Sequence, residues 1–295
     1  MSATVVLPVR NGAATLDLQL AALAAQDHAT PWELVVVDNG SRDATLAVVD
    51  GWKAKIPHLR IVSEPRRGSN RARNAGVGAA RGPVVLFCDA DDEVSAGWVR
   101  HMVNALARFD VVGGALEVDR LNGASPMRAL SVQRDGLPVL LDRPYAVGAN
   151  LGMTRAVFDA IHAFDVSFGI GCDEVEACIR AQLAGCSIGF AADAVVHYRV
   201  RDTTRDVFRQ RFAYGLGRQR LVGKASRHGW FATTRAGRWR SLASQATRLV
   251  QRPSLLRRRA ARLIYVADVA YLVGQVAGLS LETLSGGWWG SRRNP

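Results

Sequence analysis

The sequence of 295 residues is poor in several things, and each shortage excludes something. It has only four cysteines, Cys88, Cys172, Cys178 and Cys186. None forms a Cys-x-x-Cys pair or clusters with paired histidines, which argues against a structural zinc site or a redox motif. Reduced thiols in a cytosolic compartment fit this usage. There is no internal repeat and no low-complexity tract, and an apolar share of 48% excludes a disordered or collagen-like chain. The opening MSATVVLPVRNG lacks a basic leader with a long apolar run, so it does not read as a signal peptide. Acid is scarce in one region only. Residues 199–295 hold 20 Lys and Arg against four acids, Asp202, Asp206, Asp268 and Glu282, whereas residues 1–198 hold 18 against 22. Such an asymmetry implies a body that does chemistry and a tail that faces something anionic, a membrane surface or nucleic acid.

The first half alternates two kinds of segment. Residues 3–8, 33–37, 59–63, 83–88 and 110–117 read as strands, and 13–25, 43–55, 69–80 and 96–108 as helices. Continuous β-branched runs mark strands covered on both faces, so the fold class is α/β, a mostly parallel sheet flanked by helices. The pattern is irregular from about 118 to 150. Residues 154–162 and 173–185 read as helices, 187–197 as one or two short strands, and everything after about 203 as Arg-rich helix. The charge balance places a boundary near 200, giving domains 1–200 and 201–295. Ligands of such sheets bind beyond the carboxyl ends of the strands. Three strands end there in polar groups: Pro8-Val9-Arg10-Asn11, Asp38-Asn39-Gly40-Ser41 and Asp89-Ala90-Asp91-Asp92.

Three acids within four residues repel one another unless a cation or hydrogen-bond donors neutralise them. Oxygen-only ligands favour Mg²⁺ or Mn²⁺; the plain alternative is a solvated turn capping the next helix. Asp38 at a strand end suits a base or ribose hydroxyl, or simply a turn. Residues 66–74, with four arginines, suit a diphosphate at a helix start, or an exposed basic face. Asp173-Glu174-x-Glu176 opens a helix behind Phe168-Gly169-Ile170-Gly171, and acids there also complement a helix dipole. His197 is either a metal ligand or a half-buried strand end. Gly76-Val77-Gly78 with Gly82 is rejected as a dinucleotide fingerprint, because it leaves a helix and precedes a strand.

Taken together, these segments resemble glycosyltransferase family 2, with the GT-A fold. The pieces are Pro8-Val9-Arg10-Asn11; Val37-Asp38-Asn39-Gly40-Ser41 with Asp43 and Thr45; Gly68 with Ala72-Arg73-Asn74-x-Gly76; Asp89-Ala90-Asp91-Asp92; Gly148-Ala149-Asn150; and Asp173-Glu174-Val175-Glu176. They occur in the family's order over residues 3–200. The resemblance implies an inverting, metal-dependent transfer from an NDP-sugar to a glycan or lipid-linked acceptor. Pro8, Arg10, Asn11, Asp38, Gly68, Arg73, Asn74, Asp89, Ala90 and Asp91 would then hold the donor. Gly148, Ala149 and Asn150 would line the sugar or acceptor pocket. Asp91 would bind Mg²⁺ or Mn²⁺, with Asp89 and His197 as further candidate ligands. Glu174 would be the base, with Asp173 as the other candidate, since the family's Glu-Asp order is inverted here. The rival readings are a nucleotidyltransferase on a similar sheet and a non-catalytic partner protein.

The tail carries no such motif. Residues 263–281 (LIYVADVAYLVGQVAGLSL) could span about 28 Å as a helix, but Asp268, Gln275 and the glycines bring the sum of insertion terms near zero. Flanking Arg252, Arg257, Arg258, Arg259 and Arg262 on one side and Trp288, Trp289, Arg292 and Arg293 on the other suit an interfacial helix at the inner face of the cell membrane. Packing on the catalytic domain or a second subunit is the alternative. Nucleic-acid binding ranks last, for want of a motif or interleaved aromatics.

Overall fold

The computed structural model describes residues 1–56, 58–169, 171–251 and 259–284. Pro57, Ile170 and the flanking cations and tryptophans at 252, 257, 258, 288, 289, 292 and 293 lie outside the described residues, as do the side chains of 259 and 260.

Strand β1 (Thr4–Val9) leads to helix α1 (Leu16–Ala24), β2 (Glu33–Asp38), α2 (Thr45–Trp52), β3 (Leu59–Ser63), α3 (Ser69–Ala79) and β4 (Val84–Cys88). Then come β5 (Glu93–Val94), α4 (Trp98–Leu106) and β6 (Val111–Glu117), a 3-10 turn at Pro126–Leu130, and the small hairpin β7 (Val139–Leu140) and β8 (Arg143–Pro144). Strand β9 (Asn150–Thr154), α5 (Arg155–Ile161), α6 (Asp173–Leu183) and β10 (Ile188–His197) follow. The last three helices are α7 (Thr204–Arg227), α8 (Arg235–Val250) and α9 (Arg259–Leu284).

Eight strands form one sheet in the order β3-β2-β1-β4-β9-β6-β10-β5. β3, β2, β1 and β4 run parallel, as do β6 and β10. β9 is antiparallel to both β4 and β6, and β5 is antiparallel to β10. The antiparallel strands are the part the sequence conceals, because Asn-Leu-Gly-Met-Thr offers no apolar run. Gly76 and Gly78 lie in α3 ahead of β4, the wrong order for a dinucleotide turn.

Strand alternation sends side chains to two separate layers. Val5, Leu7, Leu34, Val36 and Leu86 face Leu16, Leu20 and Leu23 of α1 and Trp98, Val99 and Met102 of α4. Val6, Val35, Val37, Val85 and Phe87 face Ala72 and Val77 of α3, Val157 and Phe158 of α5, and Ala177 and Cys178 of α6. Phe87, Phe158 and Phe164 meet with centroids 5.5–5.9 Å apart. Residues Met1–Gly123, Leu130–Ser167 and Glu174–Val200 form one compact unit, and Ala124–Ala129, Phe168–Asp173 and Arg201–Pro295 a second.

At the amino end of the strands Glu33 is fully buried. Its carboxylate accepts from Thr4 Oγ1 at 2.7 Å, Arg60 Nη2 at 2.7 Å and the Arg81 amide at 2.6 Å. Burial alone would raise this carboxyl above its ordinary 4.5, but these donors outweigh it and hold it lower. A depressed carboxyl adds stability above its unfolded value and loses it as pH falls through the folded one. Glu33→Gln should therefore cost about 1–3 kcal/mol at neutral pH and flatten the loss of stability below pH 4.5. Urea unfolding at pH 7 and at about pH 3.5 measures both.

Candidate active site

β1 lies between β2 and β4, so the chain reverses its direction of winding there, and the ends of these three strands border one crevice. Val9 pairs with Asp38 on one side. The loop after β4 stands on the other, two strand spacings or about 10 Å away.

That loop carries Asp89, Asp91 and Asp92, each of which brings one carboxylate oxygen within 4.8 Å of the others'. Among the described residues it is the one cluster of three or more such ligands. Asp92 is fully buried, and Asp89, Ala90 and Asp91 are half-buried. Two side chains from distant segments hold the loop. Gln19 of α1, itself fully buried, donates to the Asp89 carbonyl and accepts from the Val94 amide, both at 2.9 Å. Arg199 gives its amide to Asp92 Oδ1 at 2.7 Å and its Nε to the Asp91 carbonyl at 2.9 Å. The adjacent Cys88 thiol stays protonated, pushed well above its ordinary value by burial and then by Asp89 and Asp92. Only oxygen donors remain, and they fit a hard divalent cation.

His197 stands outside the aspartate cluster. Its Nδ1 lies 2.7 Å from Glu117 Oε2, and its backbone pairs with Glu93 on β5, two residues past Asp91. Burial would raise the Glu117 carboxyl; hydrogen bonds from His197 and the amides of Asp119 and Arg120 lower it below the ordinary range. A carboxylate on one ring nitrogen is how a ligating imidazole is commonly oriented.

On the β2 side, Asp38 Oδ1 accepts from the Ser41 amide at 3.0 Å, and the residue as a whole is 8% exposed. Asn11 ties its strand end to the same turn: its amide donates to Ser41 Oγ at 3.0 Å and its Oδ1 accepts from the Arg42 amide at 2.8 Å. Arg10 is exposed beside it and Pro8 is half-buried in β1. Asn39, absent from the predicted set, donates to the carbonyls of Glu64 and Arg66 at 2.7 and 2.9 Å and accepts from the Gly68 amide at 2.9 Å. Gly68 has φ of +140°, a conformation that favours glycine, at the mouth of α3.

Arg73 and Gly148 come together. Arg73 is 7% exposed over the Phe164 ring, and a Cβ at 148 would collide with its guanidinium. Ala149 is buried beside it. Two further residues of the predicted set make hydrogen bonds within the scaffold. Asn74 pairs with Phe164 like a neighbouring strand, donating at 2.9 Å and accepting at 3.0 Å. Asn150 is fully buried in β9, where it accepts from Trp98 Nε1 at 2.8 Å and donates to the carbonyls of Ala115 and Ala194.

Asp173 and Glu174 open α6, Asp173 only 4% exposed and Glu174 more accessible. Glu176 is structural, forked to Arg180 at 2.6 and 2.7 Å.

This arrangement is that of a GT-A glycosyltransferase. A mannosyltransferase of Pyrobaculum calidifontis, PcManGT, solved with GDP-Man and Mn²⁺, superimposes with a TM-score of 0.65 over 94% of this chain and 87% of that one, at 18% identity. TarS of S. aureus, solved with UDP, does so at 0.58 over 97% and 92%, at 17%. The model for glycosyl transferase family 2 matches residues 4–161, and that for glycosyl transferase family group 2 matches 84–281. The chain belongs to glycosyl transferase family 2. It is 27% identical over 220 residues to the glycosyltransferase AglE of Haloferax volcanii, covering 72% of each chain. To the succinoglycan biosynthesis protein ExoO of Rhizobium meliloti it is 38% identical over 123 residues, 41% of this chain and 34% of that protein.

Gln19, Arg199 and Glu117 are the residues that motif reading misses. The only sequence signal for Gln19 is an amide on the apolar face of a helix, between Leu16 and Leu20. Gln19→Leu should keep the fold at a stability loss of about 1–3 kcal/mol, from the stranded Val94 amide. It should also weaken divalent-cation binding at least tenfold, as read by calorimetric titration with Mn²⁺.

Proposed function

We propose that the protein moves a sugar from an NDP-sugar to an acceptor hydroxyl with inversion at the anomeric carbon. The work belongs to cell-envelope or glycoconjugate synthesis at the cytoplasmic membrane face. The observation that carries this reading is the aspartate cluster beside Asp38 at the reversal point of the sheet. The bound nucleotides and Mn²⁺ of the superimposable enzymes support it: GDP-Man in PcManGT, UDP and UDP-GlcNAc in TarS.

From β2 to β4 the acids follow the order of the donor's parts. Asp38 receives the nucleoside base and Asp89 the ribose. Asp91 would hold Mg²⁺ or Mn²⁺ with Asp89, and His197, which stands outside their cluster, is the further candidate ligand. That cation, when bound, offsets the charge that develops on the departing diphosphate. Arg73, lying over Gly148, faces the diphosphate or sugar; Arg10, Asn11, Pro8, Gly68 and Ala90 shape the donor cleft. Gly148 and Ala149 border the sugar pocket.

Glu174 takes the proton of the acceptor hydroxyl. The acceptor oxygen then forms its bond to C1 as the bond from C1 to the diphosphate breaks, and the NDP carries away the electron pair. Glu174 is preferred over Asp173 because it is the more accessible of the two. A single base on the face opposite the leaving group gives inversion. Residues 1–200 are proposed as the catalytic domain and 201–295 as a basic helical region for an anionic membrane surface and a glycan or lipid-linked acceptor.

Asp91→Asn should abolish NDP release from the donor without unfolding the protein, since a neutral amide is a poor replacement for a hard anionic ligand; EDTA should do the same to the wild type. Retained activity in either case contradicts the metal role. Glu174→Gln should slow transfer about 10²–10⁴-fold with donor affinity kept. Asp173→Asn should do less, and the reverse ranking would move the base to Asp173.

A further inference from the structure

Helix α9 has the length and apolar composition to cross a membrane over Ala261–Glu282, with 28% of it buried. Its neighbours decide against crossing. Asp268, Gln275 and Glu282 recur every seven residues and share one stripe of the helix. That stripe is turned into the second unit. Gln275 is 1% exposed, donates to Gln245 Oε1 at 3.0 Å and accepts from Gln219 Nε2 at 3.2 Å. Glu282 binds Arg238 at 2.7 Å and Arg227 at 3.3 Å. Asp268 borders a cavity with Gln245, Arg248 and Tyr271.

Away from that stripe Val273, Val276 and Leu281 are 38–44% exposed, and Val266 and Val269 are half-buried. Helix α9 thus buries Ala267, Ala270 and Leu279 together with Gln275, and still leaves aliphatic groups on its outer side, where an ordinary surface helix carries polar ones. An apolar medium outside explains that pattern. Exposed Arg262 precedes these valines.

Helix α7 lies along α9 in step with it. Gly215 abuts the Tyr271 carbonyl, Gly274 abuts the Phe212 carbonyl, Gln219 meets Gln275 and Arg227 meets Glu282. Over the same length α7 carries Arg209, Arg211, Arg218, Arg220, Lys224 and Arg227. A transmembrane α9 would draw these six cations into hydrocarbon, each of them strongly unfavourable there.

We infer that α9 lies in the plane of an anionic leaflet, with Val273, Val276 and Leu281 entering the boundary between headgroups and acyl chains while α7 and α8 shield its polar stripe. This rests on the reading that residues 201–295 meet an anionic membrane; the excess of 20 Lys and Arg over four acids in residues 199–295 supplies the matching charge. The geometry adds which face makes the contact and that the helix does not cross.

The test is co-sedimentation of the full chain with mixed phosphatidylglycerol and phosphatidylcholine vesicles. The wild type should bind at low salt, keep a salt-resistant fraction, and be released by alkaline carbonate. The neutral triple variant V273S/V276S/L281S should lose about tenfold in partitioning and all of the salt-resistant fraction, with donor hydrolysis unchanged. V273S alone should lose part of it, and V250S, altering an exposed valine on α8, should lose nothing. Serine variants that bind like the wild type overturn the assigned face alone. Carbonate-resistant wild type overturns the in-plane orientation in favour of spanning. Wild type that is a dimer by light scattering, monomeric only in the triple variant, gives the face to a second copy. Wild type that ignores these vesicles at low salt overturns the membrane reading itself.

Discussion

Three aspartates held within 4.8 Å of one another are the constraint on which the catalytic unit depends. Left alone, such a cluster would spring apart, since like charges at this range repel in any dielectric a protein provides. The chain restrains it by backbone means. Gln19 grips both ends of the loop through the Asp89 carbonyl and the Val94 amide, and Arg199 brings a guanidinium and an amide to its far side. Both grips reach across the fold, one from the first helix and one from the residue two past the last strand. The sheet, with its layers of Val and Leu, is what places α1 and the end of β10 where they can do so.

The same device recurs in other irregular segments of the catalytic fold. Asn39 grips the loop from Glu64 to Gly68, Gln26 the turn from Ser95 to Val99, and Gln133 the segment from Gly114 to Val147. Each amide, buried in Asn39 and Gln133 and half-buried in Gln26, both donates to and accepts from backbone groups. Irregular polar loops are thereby held in place without extending the sheet. Preorganisation of this kind places charge-stabilising groups before the reaction needs them.

Much of this was legible in the sequence, and the reason is physical. Buried parallel strands leave continuous β-branched runs, so β1, β2, β4 and β6 declare themselves, and the polar residues at their ends mark the crevice. Strand β9 does not, since a five-residue strand with Asn and Gly carries no periodic signal. The hydrogen bonds of Asn150 to Trp98, Ala115 and Ala194 are equally invisible there. Gln19 and Glu117 escape notice for another reason: their partners lie 75 and 80 residues away, and spacing along the chain says nothing about them. In the tail, composition gives the charge and the apolar run, but only packing shows that Asp268, Gln275 and Glu282 face inward.

The central claim is that the aspartate loop holds a divalent cation against the diphosphate of the donor. Titration of Mn²⁺ followed by the electron paramagnetic resonance signal of the free ion, with and without a nucleoside diphosphate, tests it without relying on turnover. The account predicts one bound ion per chain, bound more tightly when the diphosphate is present, and loss of both effects in Asp91→Asn. Mn²⁺ that stays free in the wild type at every nucleotide concentration, or binds Asp91→Asn as tightly, would contradict it.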